Sequence, residues 1–346
     1  MYSELTGNAD VAAALRRMAA GGRMPHSMIF AGPDGTGKKH FAIETARALV
    51  CRNPGNGESC GNCTACRRAG VFDLPESDKA EDFDNVFLSH HPDVGLIFSP
   101  KRQIRVAAIR ALETEANFRP SEAESRVFII DEADKMNQEA ANALLKTLEE
   151  PPPTTFLILV SARPDALLQT IRSRCQMIRF APVSATEIRN LLVKKYGRSE
   201  EDAELAARMS GGSVSSAIGF DVENFREERA VCLDILKASV RPDGLHKMLE
   251  TAERLADSKA KERFENSLRI LLSLIRDAVA IRAGADSTQI SNFDIIDDLS
   301  AIAASLSATV LADRIWAIDD LLKSQDVNIN RKVALDGLFV KMAFSV

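Results

Sequence analysis

The eight residues Gly32-Pro33-Asp34-Gly35-Thr36-Gly37-Lys38-Lys39 are of types that could hold a phosphate chain. Glycines let successive backbone N–H groups turn toward anionic oxygens, and a lysine at position 38 can reach β- and γ-phosphates. A plain Gly-rich turn would need no particular neighbours. Here an apolar run, Met28 to Ala31, precedes the loop and a helical pattern, Phe41 to Val50, follows it. Strand, loop and helix in that order make a P-loop, whose helix N-terminus adds unpaired N–H groups and the positive end of its dipole. The next position departs from the pattern. A P-loop places Ser or Thr there, because the hydroxyl ligates Mg²⁺. Lys39, when charged, has no lone pair to offer a metal. The candidate nucleotide-binding residues are therefore Gly32, Gly35, Thr36, Gly37, Lys38 and Lys39, with ATP or ADP as the expected ligand and an incomplete Mg²⁺ site.

A second group lies downstream. Arg126-Val127-Phe128-Ile129-Ile130-Asp131-Glu132 is an apolar run that ends in acid. It predicts a buried parallel strand with carboxylates at its carboxyl end, where open α/β sheets place ligands. In a P-loop enzyme Asp131 would hold Mg²⁺, usually through water, and Glu132 would polarise the attacking water. A further buried strand, Phe156 to Val160, ends at Ser161. That serine either senses the γ-phosphate or simply ends the strand in a turn.

The third group is Cys51, Cys60, Cys63 and Cys66, in the pattern C-x₈-C-x₂-C-x₂-C among Gly and Asn residues. Four thiolates suit a closed tetrahedral Zn²⁺ site with Zn–S of about 2.3 Å. With four protein ligands no position stays open for water, so the metal is expected to be structural, clipping an insertion that has little core of its own. A nucleic-acid-reading finger is the alternative, but no histidines or following recognition helix accompany the cluster. Cys175 and Cys232 stand alone.

Other polar groups are less specific. Lys101 to Arg105 opens a predicted helix running through Glu115, and Arg102, Arg105 and Arg110 give it basic character. Such a face either contacts nucleic-acid phosphates or is simply solvated. His26 reads as structural at a strand entrance. His90 and His91 are adjacent, so they would point opposite ways on a strand, and solvent or loop roles are expected for both.

These elements need a chain that can position them. A length of 346 residues predicts two or three domains, and 45% hydrophobic with 27% charged residues is an ordinary globular composition. No apolar run approaches the ~18 residues of a membrane span. No targeting segment is visible, which gives the cytoplasm as the expected location. The net charge of −5 offers no global nucleic-acid signature, and one Trp with two Tyr makes no stacking platform for single strands. Residues 3–21 predict an amphipathic helix on Val11, Leu15 and Met18. Strands and helices then alternate from 28 to 180, as in a doubly wound α/β sheet. Beyond Pro182 the pattern is helical: a small lid over 183–223, and an all-α domain over 224–346 in which Phe264, Leu268, Leu271 and Ile275 recur at helical spacing.

Taken together and in this order, the motifs resemble the clamp-loader branch of the AAA+ family. The resemblance rests on Pro25-His26 before the P-loop, the four-cysteine insertion after its helix, and Asp131-Glu132-Ala133-Asp134. It also rests on Ala141 to Pro152, on Ser173-Arg174-Cys175, and on Asn328 to Leu335 near the end. It covers nearly the whole chain and weakens between 225 and 310. It implies an α/β P-loop NTPase (AAA+) domain with a parallel sheet over 1–182, a helical lid and an all-α C-terminal collar. It further implies a heteropentameric ring with partner subunits of the delta and gamma/tau types, acting on a sliding clamp and primed DNA, and no membrane. Within that family Arg174 resembles an arginine finger that reaches into a neighbouring subunit's nucleotide site. Lys39 departs from the motor subunits, as does Ser215, which stands where they carry a sensor arginine. The combination implies a stator that completes a partner's site and turns over little or no ATP itself. An active motor ATPase and a zinc-dependent nucleic-acid-binding module are the alternatives.

Overall fold

The computed structural model describes residues 1–77, 79–99, 103–256, 261–323 and 330–344. It divides into two compact units, one of residues 1–203 with 210–219 and one of 204–209 with 220–346. Residues 183–223, expected as a separate lid, are thus shared: 183–203 and 210–219 belong to the first unit, the rest to the second.

The first unit begins with α1 (Ala9–Ala20), preceded by Asn8 in the left-handed region, φ 53°. The helix expected from residue 3 therefore starts later, because Gly7 and Asn8 both carry positive φ and break the chain direction there. Asn8 is then used as a clamp: its side-chain amide donates to the Ala181 carbonyl and its Oδ1 accepts from the Ala181 N–H. Next come β1 (Ser27–Ala31), α2 (Lys38–Val50) and the short α3 (Thr64–Arg68). They are followed by β2 (Phe87–Leu88), β3 (Val94–Ile97), α4 (Val106–Ala116) and β4 (Arg126–Ile130). Then come α5 (Gln138–Glu149), β5 (Thr155–Ser161), α6 (Gln169–Arg172) and β6 (Gln176–Arg179). Three helices close the run: α7 (Ala185–Tyr196), α8 (Glu200–Met209) and α9 (Val214–Ile218).

The strands form one six-stranded sheet in the order β2-β3-β4-β5-β1-β6. All neighbours run parallel except the two-residue edge strand β2, which pairs antiparallel to β3. Strand residues alternate between the faces. Met28, Phe30, Val127, Ile129, Ile158 and Val160 pack on one side with α1 and α2. Ile29, Ala31, Phe128, Ile130, Leu157 and Leu159 pack on the other with α4 and α5. A strand buried on both faces must be apolar at every position, which is why β1, β4 and β5 read as continuous apolar runs. The order sets β1 beside β5 and β5 beside β4, with Ala31 opposite Ser161 and Ile130 opposite Leu159. The carboxyl ends of the three strands, each followed by a chemistry-bearing residue, therefore lie side by side.

The second unit is helical: α10 (Val222–Ala238), α11 (Gly244–Ala256), α12 (Lys261–Arg282), α13 (Ile296–Ser305), α14 (Ala308–Lys323) and α15 (Arg331–Phe344). Leu268, Leu271, Ile275, Leu311, Ile318 and Phe339 form its core. A buried polar network crosses it. Arg229 donates to Asn292 and to both carboxylate oxygens of Asp294, and Asn292 in turn donates to Asp277. Asn328 and Ile329, named above as part of the closing motif, lie outside the described residues. Among the described residues no single helix is long and apolar enough to cross a membrane.

Candidate functional site

The loop after β1 wraps a cavity of about 460 Å³, lined by Asp34, Gly35, Lys38, Lys39, Asp131, Ser161 and Ser215 among others. That size suits a small-molecule ligand. Gly37 caps the start of α2 with φ 90°, a conformation that favours glycine, and lines the cavity beside the first helical turn, whose N–H groups have no intrahelical partners. At Gly35 the need is space as well as conformation. A Cβ there would stand 1.9 Å from Ser213 Oγ, and the Gly35 carbonyl accepts from the Val214 N–H at 2.8 Å. The segment leading into α9 thus closes over the loop. Gly32 donates its N–H to the Ser161 carbonyl at 3.2 Å, and Thr36 Oγ1 donates to the Pro33 carbonyl at 2.9 Å.

The two lysines are placed differently. Lys38 Nζ donates to the Gly32 and Pro33 carbonyls, each at 2.6 Å. Burial lowers its pKa, opposed by the charges of Asp34, Asp131 and Asp134. Lys39 instead reaches across to β4: its Nζ lies 3.0 Å from Asp131 Oδ2 and 5.5 Å from the centre of the Phe98 ring. The carboxylate expected to hold a metal is held by an ammonium of the same chain. Mg²⁺ does not suit this donor set, since position 39 offers a cation where the metal needs a hydroxyl oxygen. A phosphate chain fits: the loop amides, Lys38 and the helix terminus are all present.

Glu132 follows at the cavity rim in the left-handed region, φ 50°, and its Oε1 lies 2.7 Å from Lys135 Nζ. A non-glycine residue held there signals a constrained strand end. Sequence reasoning passed over Asp134. It is 6% exposed, and its carboxylate accepts from Ser161 Oγ at 2.8 Å and from Arg163 Nε at 3.1 Å. Asp134 thus fixes the Ser161 hydroxyl at the end of β5. The signal was the last letter of Asp131-Glu132-Ala133-Asp134, but its partner lies far along the chain on another strand.

Arg174 does not line this cavity. It follows α6, with Nη2 2.7 Å from Glu149 Oε1 at the end of α5 and Nη1 donating to the Thr170 carbonyl at 2.9 Å. Its side chain is 35% exposed. The guanidinium is held by these two contacts and stays partly open to solvent.

The four cysteine sulfurs lie within 4.8 Å of one another. A tetrahedral Zn²⁺ at the usual Zn–S length of about 2.3 Å would set sulfurs roughly 3.8 Å apart, so the set fits the metal. Backbone amides already point at the sulfurs: Cys60 N–H to Cys51 Sγ at 3.3 Å, Cys63 N–H to Cys60 Sγ and Cys66 N–H to Cys63 Sγ at 3.4 Å. Burial raises the Cys63 thiol, but the amides of Cys66 and Arg52 outweigh it and bring the group down to about 6. Cys175 and Cys232 are opposite cases, both pushed up to about 12 by burial. The insertion is tied back to the unit through Glu58, which accepts from the Ser3 N–H at 3.0 Å and lies 3.4 Å from Arg16. Arg68 adds a two-pronged contact to Glu122 at 2.8 and 3.0 Å.

The helix predicted near Arg105 starts later than expected. α4 begins only at Val106, with Arg105 extended as its N-cap. Its guanidinium lies 3.3 Å from both Glu81 and Asp84, so acidic residues of the preceding loop take it up. Arg110 is exposed on α4. Arg102 lies outside the described residues. Nor is His91 a solvent-facing loop residue. It is 1% exposed, and its Nδ1 accepts the Asp93 N–H at 3.3 Å. His90 is exposed beside Asp73.

A mostly parallel sheet with a P-loop after β1, acids after β4 and a polar residue ending β5 defines a P-loop NTPase fold of the AAA+ type. Residues 7–184 match the family model described as DNA polymerase III, delta subunit, and residues 225–340 match that of its C-terminal part. The chain belongs to the DNA polymerase III delta-subunit family. DNA polymerase III subunit delta' of Bacillus subtilis is 27% identical over 92% of this chain and 91% of its own length. The Escherichia coli subunit of the same name is 26% identical over 93% and 90%. The gamma/tau subunit of Mycobacterium tuberculosis is 32% identical, over 61% of this chain and 35% of its own.

Proposed function

We propose that this chain serves as the stator of a clamp loader in the DNA polymerase III holoenzyme. It assembles with delta- and gamma/tau-type subunits and lends Arg174 to the nucleotide site of a neighbour while that assembly places a sliding clamp on primed DNA. A guanidinium so donated neutralises charge on the transferring phosphoryl group. The carrying observation is the contrast between two cations. Lys39 is spent inside the chain's own cavity, 3.0 Å from Asp131, and Arg174 stands 35% exposed away from that cavity. Family membership supports the clamp-loading role, and the four-sulfur cluster supports a structural Zn²⁺. Once bound, zinc would lock Cys51, Cys60, Cys63 and Cys66 together, and the chain's own residues would do the rest. Glu58 and Arg68 hold the insertion against the unit. Among the described residues of the predicted basic set, Arg110 is exposed and Arg105 is paired with Glu81 and Asp84, so Arg110 is the described residue offered to DNA.

The test is the purified chain alone with ATP and Mg²⁺. Turnover far below the ~1 s⁻¹ at the lower end of ordinary enzymes is expected, unchanged by Asp131→Asn. Co-purification from cells should bring down the other loader subunits. Vigorous Mg²⁺-dependent hydrolysis abolished by Asp131→Asn would make the chain a motor instead.

A further inference from the structure

We propose that the P-loop cavity binds a nucleoside diphosphate or triphosphate without a divalent cation, with the Lys39 ammonium standing in for the metal. The proposal rests on reading the loop as a nucleotide cradle, as above. A Mg²⁺-dependent P-loop site has two protein anchors for the ion, a hydroxyl at the second position of the helix and the acid at the end of the neighbouring strand. Here the first is replaced by a lysine, and that lysine closes on the second, Nζ to Asp131 Oδ2 at 3.0 Å. The ammonium is steadied from another side by the Phe98 ring at 5.5 Å, itself packed edge-on against Phe83 at 5.2 Å. The cation is therefore positioned by packed residues rather than waving in solvent.

The rest of the cradle is intact. Gly37 has the φ of 90° that presents the first amides of α2. Lys38 rests on the Gly32 and Pro33 carbonyls at 2.6 Å, within the loop it would leave to meet a phosphate. Ser161 is fixed by Asp134 at 2.8 Å. Two lysines and a helix terminus supply the charge that a phosphate chain needs. A dication brought to Asp131 would have to displace one of those lysines and face its charge. The arrangement explains how a cradle can be retained without the hydrolytic metal: bound nucleotide would stiffen the fold and stay unreacted.

The experiment is calorimetric titration of ADP into the full chain, once with Mg²⁺ and once with EDTA after the zinc content has been verified. Wild type is expected to bind with affinities differing less than twofold between the two conditions. Lys39→Thr restores the hydroxyl and should bind at least fivefold more tightly with Mg²⁺ than with EDTA. Lys39→Met supplies neither cation nor ligand and should lose about tenfold in both. Melting curves and zinc content confirm that each variant is folded. Absence of ADP binding at millimolar concentration in both conditions overturns the proposal. So does a wild-type affinity that drops tenfold in EDTA, or a Lys39→Thr variant indifferent to Mg²⁺. The stator reading is read separately, from ATP turnover by the chain alone and from Arg174 in the assembled loader.

Discussion

Histidine chemistry shows how strongly surroundings govern single residues in this chain. Burial lowers the pKa of His40, assisted by the nearby charges of Lys39 and Lys195, and burial likewise lowers that of His91. Both rings are neutral in the folded state at neutral pH, and His91 Nδ1 needs to be neutral to accept the Asp93 N–H. Unfolding returns both to an ordinary value near 6.5. Below that value the unfolded chain binds more protons than the folded one, so this stability is fully present above about pH 6.5 and is lost as pH falls. The denaturant midpoint should therefore be lower at pH 5.5 than at pH 7.5, and His91→Gln should flatten that dependence. A midpoint that holds steady across the range would contradict the account. Arg174 makes the complementary case. Its contact with Glu149 is partly exposed, and such pairs are worth about 0–1 kcal/mol. Replacing it should hardly change the stability of the isolated chain, as a melting curve will show. Neither the burial of His91 nor the pairing of Ser161 with Asp134 was legible in the sequence. Both depend on residues brought together by the sheet rather than by spacing along the chain.

At the scale of elements, local chemistry and tertiary context divide the credit. Strands β1, β4 and β5 could be placed within a residue or so because burial on both faces leaves a run of apolar residues that little else explains. Helix α5 is bounded by local chemistry at both ends. Asn137 Oδ1 accepts the Ala140 N–H at 2.8 Å, and Pro151 to Pro153 follow. Asn137→Ala should cost about 1 kcal/mol, read from chemical denaturation, and a neutral result would remove the cap from the account. Helix α4 was misplaced at its start because Arg105 prefers the carboxylates of Glu81 and Asp84, a loop contact that no periodicity announces. The cysteine insertion is the element most dependent on a ligand. Metal analysis should find one zinc per chain. Cys63→Ser, or prolonged chelation, should lower the melting temperature of the first unit and open residues 52–62 to protease. An unaltered digestion pattern after zinc loss would show that the hydrogen bonds of Glu58 and Arg68 suffice.

For the molecule as a whole, the change to a helical pattern beyond Pro182 is legible in the sequence, whereas the division into two units falls within α8 and not at the boundaries expected after residues 182 and 223. The first carries a P-loop cavity and a solvent-accessible arginine; the second is a helical unit in which Arg229 meets Asp294 and Arg314 meets the Ser239 hydroxyl at 2.9 Å. The account turns on chemistry shared between neighbours, so it is tested in the assembly. Wild-type, Arg174→Ala and Arg174→Lys chains would each be reconstituted with the remaining loader subunits and followed through a single turnover of ATP in the presence of clamp and primed DNA. The account predicts intact assembly and zinc content. It also predicts loss of the hydrolysis burst from one site, at least tenfold slower clamp loading with alanine, and little rescue by lysine, which lacks the planar fork. A full burst and normal loading by the alanine variant would contradict it.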